Sequence, residues 1–559
     1  MSKDNFNKVE KILIVGGGTA GWFAASAISK WLPDVELSLV ESPNVGTIGV
    51  GESTIAHINK FFNSLDMNIE GEEDWMPHCN AIYKASIQFS DFYQKGDSYM
   101  YPFGSLDLSG CRFGCDDWFL KKWLYPDTKP RDFVDTFFPQ MPLIYKNKVT
   151  KNEVFNDQGD RPIENYFPKR DMAYQLDAVK LAQWMKGKFC KDITHIEDDV
   201  INVAVNDQGF INGISTVNHG ELKADLYLDC SGFKSLLIEG TLNEPWIDWR
   251  DDLINNRTWA THIPYKDKET EMRLYTDCKG IDNGWVWNIP LWENIGTGYV
   301  FSNDFVSEDN ALKEFQDHIG HGDELDYKLI NIRNGRHKRA WVKNCVAIGL
   351  SNGFVEPLES SGLLLIHEPI ELLIKTLTQR GGLINQFDRD SFNFTSNQTI
   401  DSWKYFVASH FYMSQRDDTE YWQYYTQTHE MGDHWYGVDL KHPEFWPSGV
   451  NQQLSIMGNT ATDVGMMLAI SKLKSQTTFG LGPAQLCIAV GNGFEIYNDY
   501  ACTQLDWTED GYRNLNKEFL RNTDLMDIWT MQTDRYVKHS KYAETLPSHY
   551  EYLKKNVYK

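Results

Sequence analysis

Six residues, Gly16-Gly17-Gly18-Thr19-Ala20-Gly21, restrict the fold of this chain more tightly than any other stretch. They follow Lys11-Ile-Leu-Ile-Val15, an apolar β-rich run that predicts a strand, and they open Trp22 to Trp31, which reads as a helix. A second strand is predicted from Val35 to Val40. In such a unit Gly16 permits the tight turn, Gly18 lets the backbone approach a pyrophosphate, and Gly21 allows close helix–strand packing. The helix N-terminus adds N–H donors and a positive dipole. Glu41 ends the second strand, 20 residues after Gly21, where a carboxylate accepts hydrogen bonds from a ribose and repels a 2′-phosphate. The opening is a βαβ unit suited to FAD or NAD rather than NADP.

The 559 residues amount to three or four domain-equivalents, or one large cofactor-binding body with insertions. With 54 Lys and Arg against 78 Asp and Glu, the formal charge is −24, which repels a nucleic-acid backbone or an anionic membrane surface, and no basic patch intervenes. Nine cysteines are scattered at odd number, unlike a disulfide framework, so a reducing compartment is expected. The polar start and the short first apolar run fit no signal peptide, and no stretch approaches about 18 uninterrupted apolar residues. A cytoplasmic protein is expected.

Later segments favour FAD over NAD. Gly46-Thr-Ile-Gly49-Val-Gly51-Glu52-Ser53-Thr54 is a second glycine-dense stretch suited to wrapping a large flat cofactor. Asp229-Cys-Ser-Gly232-Phe233 and Gly349-Leu350-Ser-Asn-Gly353 each follow a short apolar strand, and Leu363 to Leu377 reads as a helix. One nucleotide domain is thus expected to be assembled from distant segments. No second complete GxGxxG unit is present for a nicotinamide nucleotide, so the cofactor would be reduced elsewhere. Residues from about 95 to 160 read as irregular excursions, and the last 160 as mainly helical.

On this scaffold three further segments carry a resemblance. Trp285-Val-Trp287-Asn-Ile289-Pro290 reproduces WxWxIP, Pro357-Leu-Glu359-Ser360-Ser361-Gly362 is similar to a PLEST segment with Ser361 in place of Thr, and Ile82-Tyr83-Lys84 is similar to a segment carrying a catalytic lysine. The glycine stretches and Arg416-Asp-Asp-Thr419 agree. From about residue 10 to 425 the chain resembles the flavin-dependent halogenases of the tryptophan-halogenase family. The resemblance implies an α/β, FAD-binding, GR2-type (Rossmann-like) fold related to the monooxygenases. It implies a single unit over 1–559, with an FAD-binding body over about 10–400 and a mainly helical substrate-covering region over about 400–559. It further implies flavin contacts from Gly16, Gly17, Gly18, Thr19, Ala20, Gly21, Glu41, Gly51, Glu52, Ser53, Val200, Leu350, Gly353, Ser360 and Leu363. The implied reaction starts with FADH2 from a separate flavin reductase, which meets O2 to give a flavin hydroperoxide. A halide ion (chloride, bromide or iodide) attacks this to give hypohalous acid, and a lysine guides that oxidant to an electron-rich arene such as an indole or phenol.

The residue chemistry fits those roles. A lysine ammonium can polarise the oxidant and its neutral amine can be halogenated, and burial lowers a lysine's pKa; Lys84 has the apolar flanks Ile82 and Ile87. Glu359 can stabilise the ring cation and remove its proton, and it is also placed as an N-cap or first-turn glutamate of the helix that follows. The N–H groups of Ser361 and Gly362 at that helix start offer a halide site, and Ser360 would join the flavin side to the substrate side. Trp285 and Trp287 are expected on opposite strand faces, one toward the flavin pocket and one in the core. Tyr101 and Phe103 are candidate aromatic walls around the substrate, as are Phe445 and Trp446, although Tyr101 and the residues after Trp446 depart from the tryptophan-specific pattern. No metal site is expected: the His429 and His434 pair is spaced wrongly for zinc, and Cys111-Arg-Phe-Gly-Cys115 has no partner pair. A direct flavin monooxygenase and a non-catalytic FAD-binding protein stay open as alternatives, as do the native substrate, the halide and a homo-oligomeric state.

Overall fold

The computed structural model describes residues 7–559 except 47–48, 50, 68–70, 413, 429–433 and 436–437, parts of 112–130 and of 152–165, and 440–524 apart from Cys487 and Gly491. The opening unit forms as its pattern requires. Lys11–Val15 is a strand, Thr19–Trp31 a helix and Glu36–Glu41 a second strand parallel to the first. The helix buries Gly21 to Ile28 and packs on the helices Ala178–Phe189 and Leu364–Gln379. Its small residues let the two neighbouring helices approach it closely.

These strands sit in a six-stranded sheet ordered Trp341–Val342, Cys345–Ala347, Leu226–Asp229, Lys11–Val15, Glu36–Glu41, Thr194–Glu197. All neighbours are parallel but the first pair. Parallel sheets bury both faces, and the near-continuous apolar runs of these strands match that demand. Segments more than 200 residues apart in sequence thus present their strand ends along one edge, which is the α/β assembly expected.

A seven-stranded sheet lies beyond it, in the order Lys328–Asn331, Arg257–Ile263, Ile295–Phe301, Gly284–Pro290, Tyr275–Ile281, Ser86–Ser90, Ser98–Pro102. The last strand belongs to the stretch expected to be irregular, and helices Arg131–Phe137 and Met141–Tyr145 follow it, so that expectation is corrected. The aromatics there alternate with Asp and Pro, which hides a short strand from a periodicity reading. A three-stranded sheet, Glu52–Ser53, Ala173–Leu176, Ile82–Lys84, bridges the two larger layers.

The expectation for the two tryptophans is also corrected. Side chains two apart on a strand share a face, and the Trp285 and Trp287 rings lie 6.0 Å apart in one core cluster with Ile289. Trp287 lies over Gly298 on the neighbouring strand, where a Cβ would come within 2.2 Å of its ring. Trp285 donates its indole N–H to Glu356 at 2.7 Å.

At the far end of the sequence, Ser548-His-Tyr-Glu551 forms a capping box and starts the helix His549–Asn556. His549 is fully buried; its Nδ1 donates to the Met272 carbonyl and its Nε2 accepts the N–H of Tyr83. Burial pushes its pKa down to about 3, so it serves as a neutral clamp on the strand that ends at Lys84. Among the described residues no helix is long and apolar enough to cross a membrane.

Candidate active site

The glycine turn is open toward a ligand. Gly16 has φ +113°, and a Cβ there would sit 2.3 Å from the Cys230 carbonyl, which brings the Asp229–Phe233 turn against the first strand end. Gly18 occupies the N-cap of the Thr19–Trp31 helix with no side-chain cap, and a Cβ on it would meet nothing within 4 Å. Unsatisfied helix N–H groups facing open space could hold a pyrophosphate. A Cβ on Gly349 would lie 3.1 Å from that of Ala20, and Ser351 donates to the Gly232 carbonyl, so the turn carrying Leu350 and Gly353 closes on the same edge. Val200 packs against the cluster of Val15, Val40 and Ile196, and Leu363 is buried in the main core.

Glu41 stands at the end of the second strand as expected, with its side chain lying against Gly17. His195 bonds its carboxylate at 2.6 Å, and Glu197 lies close enough that these three are the described group able to gather around a cation. The sequence reading missed His195, which comes from a neighbouring strand 154 residues away.

Lys84 is fully buried at the point where the chain leaves one sheet for another: Lys84 pairs with Ala173, and Ser86 pairs with Tyr275 and Pro102. Its Nζ donates to the Thr54 carbonyl at 3.0 Å and to Ser360 Oγ at 2.7 Å, and lies 4.9 Å from the centre of the Phe103 ring. Burial pulls its pKa down to about 7, against an opposing pull from Cys278 and Glu359. The group therefore exchanges between ammonium and amine near neutrality.

Glu359 is equally buried, but it ends a short 3-10 turn, Pro357–Glu359, and the helix begins only at Leu364. It is thus neither N-cap nor first-turn residue, because Ser360 adopts left-handed backbone angles (φ 60°) and turns the chain before the helix. That turn aims adjacent side chains apart: Ser360 reaches Lys84, while Glu359 Oε1 meets His410 Nε2 at 2.7 Å. Glu359 Oε2 is buried without a protein partner. Sequence reading also missed His410, whose position inside the long helix Gln386–Tyr412 carries no local signal.

The N–H groups of Ser361 and Gly362 precede the first bond of the next helix, from Leu365 to the Ser361 carbonyl. A Cβ on Gly362 would stand 3.2 Å from Glu52 Oε2, so the strap Gly51–Thr54 runs from this turn to the carbonyl that holds Lys84. Desolvation raises Glu52 to about 7, so its carboxyl is largely neutral in mild acid. Tyr101 packs edge-on to Phe103 at 5.5 Å, and Glu359 and Cys487 act with burial to raise its phenol pKa. Lys84, Glu359, Ser360, Tyr101 and Phe103 are thus brought to one place. Phe445 and Trp446 lie outside the described residues, as does His429. A separate apolar groove of about 600 Å³ touches Gly353 and Trp31 but neither Lys84 nor Glu359.

The tryptophan halogenase family profile matches residues 11–438. The tryptophan 6-halogenase SttH of Streptomyces toxytricini is 34% identical over 75% of this chain and 81% of its own length. The 7-chloro-L-tryptophan 6-halogenase KtzR of Kutzneria sp. (strain 744) is 31% identical over 97% and 98%. Among solved structures, apo VirX1 superposes with a TM-score of 0.84 at 36% identity, covering 99% of this chain and 100% of that one. With the glycine turn, the WxWxIP strand and the buried lysine in place, the chain belongs to the tryptophan-halogenase family of flavin-dependent enzymes that halogenate aromatic substrates.

Proposed function

We propose that the protein halogenates an electron-rich arene, such as an indole or phenol, with Lys84 guiding hypohalous acid and Glu359 taking up the ring proton. The observation that carries this reading is the pairing of a buried lysine and a buried glutamate through adjacent residues: Ser360 holds Lys84, and Glu359 precedes it. FAD fits the chain at the open N-terminus of the Thr19–Trp31 helix, with Gly16, Gly17, Gly18, Thr19, Ala20 and Gly21 around the pyrophosphate and Glu41 at a ribose. Gly51, Glu52, Ser53, Val200, Leu350, Gly353, Ser360 and Leu363 would flank the rest. When bound in reduced form, supplied by a separate reductase, the flavin turns O2 and a halide ion into hypohalous acid.

The remaining steps belong to this chain. Ser361 and Gly362 N–H groups hold the halide at the turn before the helix. Lys84, as ammonium, hydrogen-bonds the oxygen of hypohalous acid. The arene π-electrons attack the halogen, the O–X bond breaks, and the departing hydroxide takes a proton from Nζ. Tyr101 and Phe103 hold the ring beside Lys84. Glu359 then accepts the proton of the halogenated carbon and aromaticity returns.

The test is mass spectrometry of products from purified protein, FAD, a flavin reductase with NADH, O2 and an indole and phenol panel, run separately with chloride, bromide and iodide and with catalase present. Products carrying the supplied halogen are expected. Lys84→Ala and Glu359→Gln should keep bound flavin and lose halogenation, the lysine variant more completely. Oxygen insertion regardless of halide would move the protein to the monooxygenases, and retained halogenation by Lys84→Ala would remove the lysine from the chemistry.

A further inference from the structure

We propose that His410 is the proton partner of Glu359: a proton taken from the arene at Oε2 leaves the proton shared on the opposite side of the carboxyl with His410 Nε2. The inference rests on the reading of Glu359 as base.

The protonation pattern follows from the hydrogen bonds. His410 Nδ1 faces only backbone acceptors, the carbonyls of Phe406 at 3.0 Å and Val407 at 3.3 Å. A carbonyl cannot donate, so Nδ1 carries a hydrogen and Nε2 of a neutral ring is bare. Glu359 Oε1 lies 2.7 Å from that bare nitrogen, with both side chains at 0% exposure. Two lone pairs at that distance in a dry interior would repel. One proton therefore sits between them, as acid with imidazole or as carboxylate with imidazolium.

That arrangement leaves Oε2, buried and without a protein partner, as the open face of the carboxyl. The proton of the sp³ ring carbon leaves to Oε2 while the C–H electron pair restores the ring. The proton shared by Oε1 and Nε2 settles on Nε2 in the same event, whichever side held it before. The products are haloarene, Glu359 protonated at Oε2, and an imidazolium. No redox change occurs at this step. Three rings surround His410: Phe89 at 4.7 Å, Phe406 at 5.4 Å and Phe92 at 6.5 Å. An aromatic face within about 6 Å of a cation stabilises it, and Phe89 and Phe406 lie within that reach of a His410 ring cut off from water. The titratable groups facing Glu359 are Lys84, Tyr101, Cys278 and Cys487.

The test compares single-turnover halogenation of ring-protiated and ring-perdeuterated arene, using whichever of indole, tryptophan and phenol the wild type halogenates fastest. His410→Phe removes both nitrogens within the aromatic cage. His410→Gln keeps an amide able to donate to Glu359 but unable to take up a proton. Flavin binding and thermal melting establish folding, and if the Phe variant fails them the Gln variant carries the test. Loss of an acid–base partner should slow both variants by about 100-fold. It should also raise the deuterium effect above that of wild type, because proton removal becomes rate-limiting. Wild-type rate in His410→Gln, or slowing with an unchanged isotope effect, would reduce His410 to a packing residue. Glu359→Gln with wild-type rate would instead overturn the base itself.

Discussion

Replacing Lys84 by Met should make the protein more stable in mild acid, and by an amount that fades with rising pH. The buried lysine has its pKa lowered from 10.5 to about 7. At about 1.4 kcal/mol per pH unit, holding the ammonium in the folded interior costs roughly 5 kcal/mol below pH 7. Between pH 7 and 10.5 only the unfolded chain binds the proton, so the cost declines as pH rises and vanishes above 10.5. Methionine fills similar volume but strands the Thr54 carbonyl and Ser360 Oγ, which now accept from Nζ. Leaving each acceptor unpaired costs on the order of 1 to 2 kcal/mol, about 2 to 4 kcal/mol together, and this offset is the same at every pH. The net gain at pH 6 is therefore about 1 to 3 kcal/mol. The cost of the ammonium alone falls by roughly 3 kcal/mol between pH 6 and 9. Urea unfolding of both proteins at pH 6, 7.5 and 9, followed by circular dichroism and tryptophan fluorescence with coincident transitions, measures that difference. A variant whose stability relative to wild type is the same at all three values would refute a depressed lysine.

Four further outcomes follow. Gly18→Asp should fold normally, because its Cβ enters open space, yet lose flavin affinity by at least about 100-fold through charge repulsion at the helix start, as read by flavin fluorescence quenching. Gly16→Ala should instead lower the melting temperature, since its Cβ meets the Cys230 carbonyl at 2.3 Å on left-handed backbone. Glu52 ionises above about 7 beside Gly362, so the apparent halide KM should rise about tenfold from pH 6 to 8, and Glu52→Gln should flatten that rise. Folded His549 protonates only near 3 and the unfolded residue near 6.5, so its stabilisation is complete above 6.5 and up to about 5 kcal/mol is lost as pH falls to 3; acid melts of His549→Gln should be shallower.

The features legible in the sequence are those whose geometry is local. A glycine turn between strand and helix declares itself in six residues, and the strand ends at Asp229 and Ala347 fall where short apolar runs meet glycine. Lys84 and Glu359 were found through the segments around them, and the fold brings them together through Ser360. The face shared by Trp285 and Trp287 was also legible, since a period of two decides it, and the expectation of opposite faces misapplied that period. The first-turn role expected for Glu359 failed on a single residue, Ser360, whose left-handed backbone few sequence signals announce. His195 and His410 lay beyond sequence reading because each meets its carboxylate only after distant elements dock.

The clamp of His549 on the Tyr83 N–H joins residues 466 positions apart. Contacts of such separation carry a large loop-closure cost and form late, after more local structure has condensed. The strand bearing Lys84 therefore has its full support only once the helix His549–Asn556 has docked. Any fusion or truncation that disturbs the His549–Asn556 helix acts on the strand of Lys84 from the far end of the sequence.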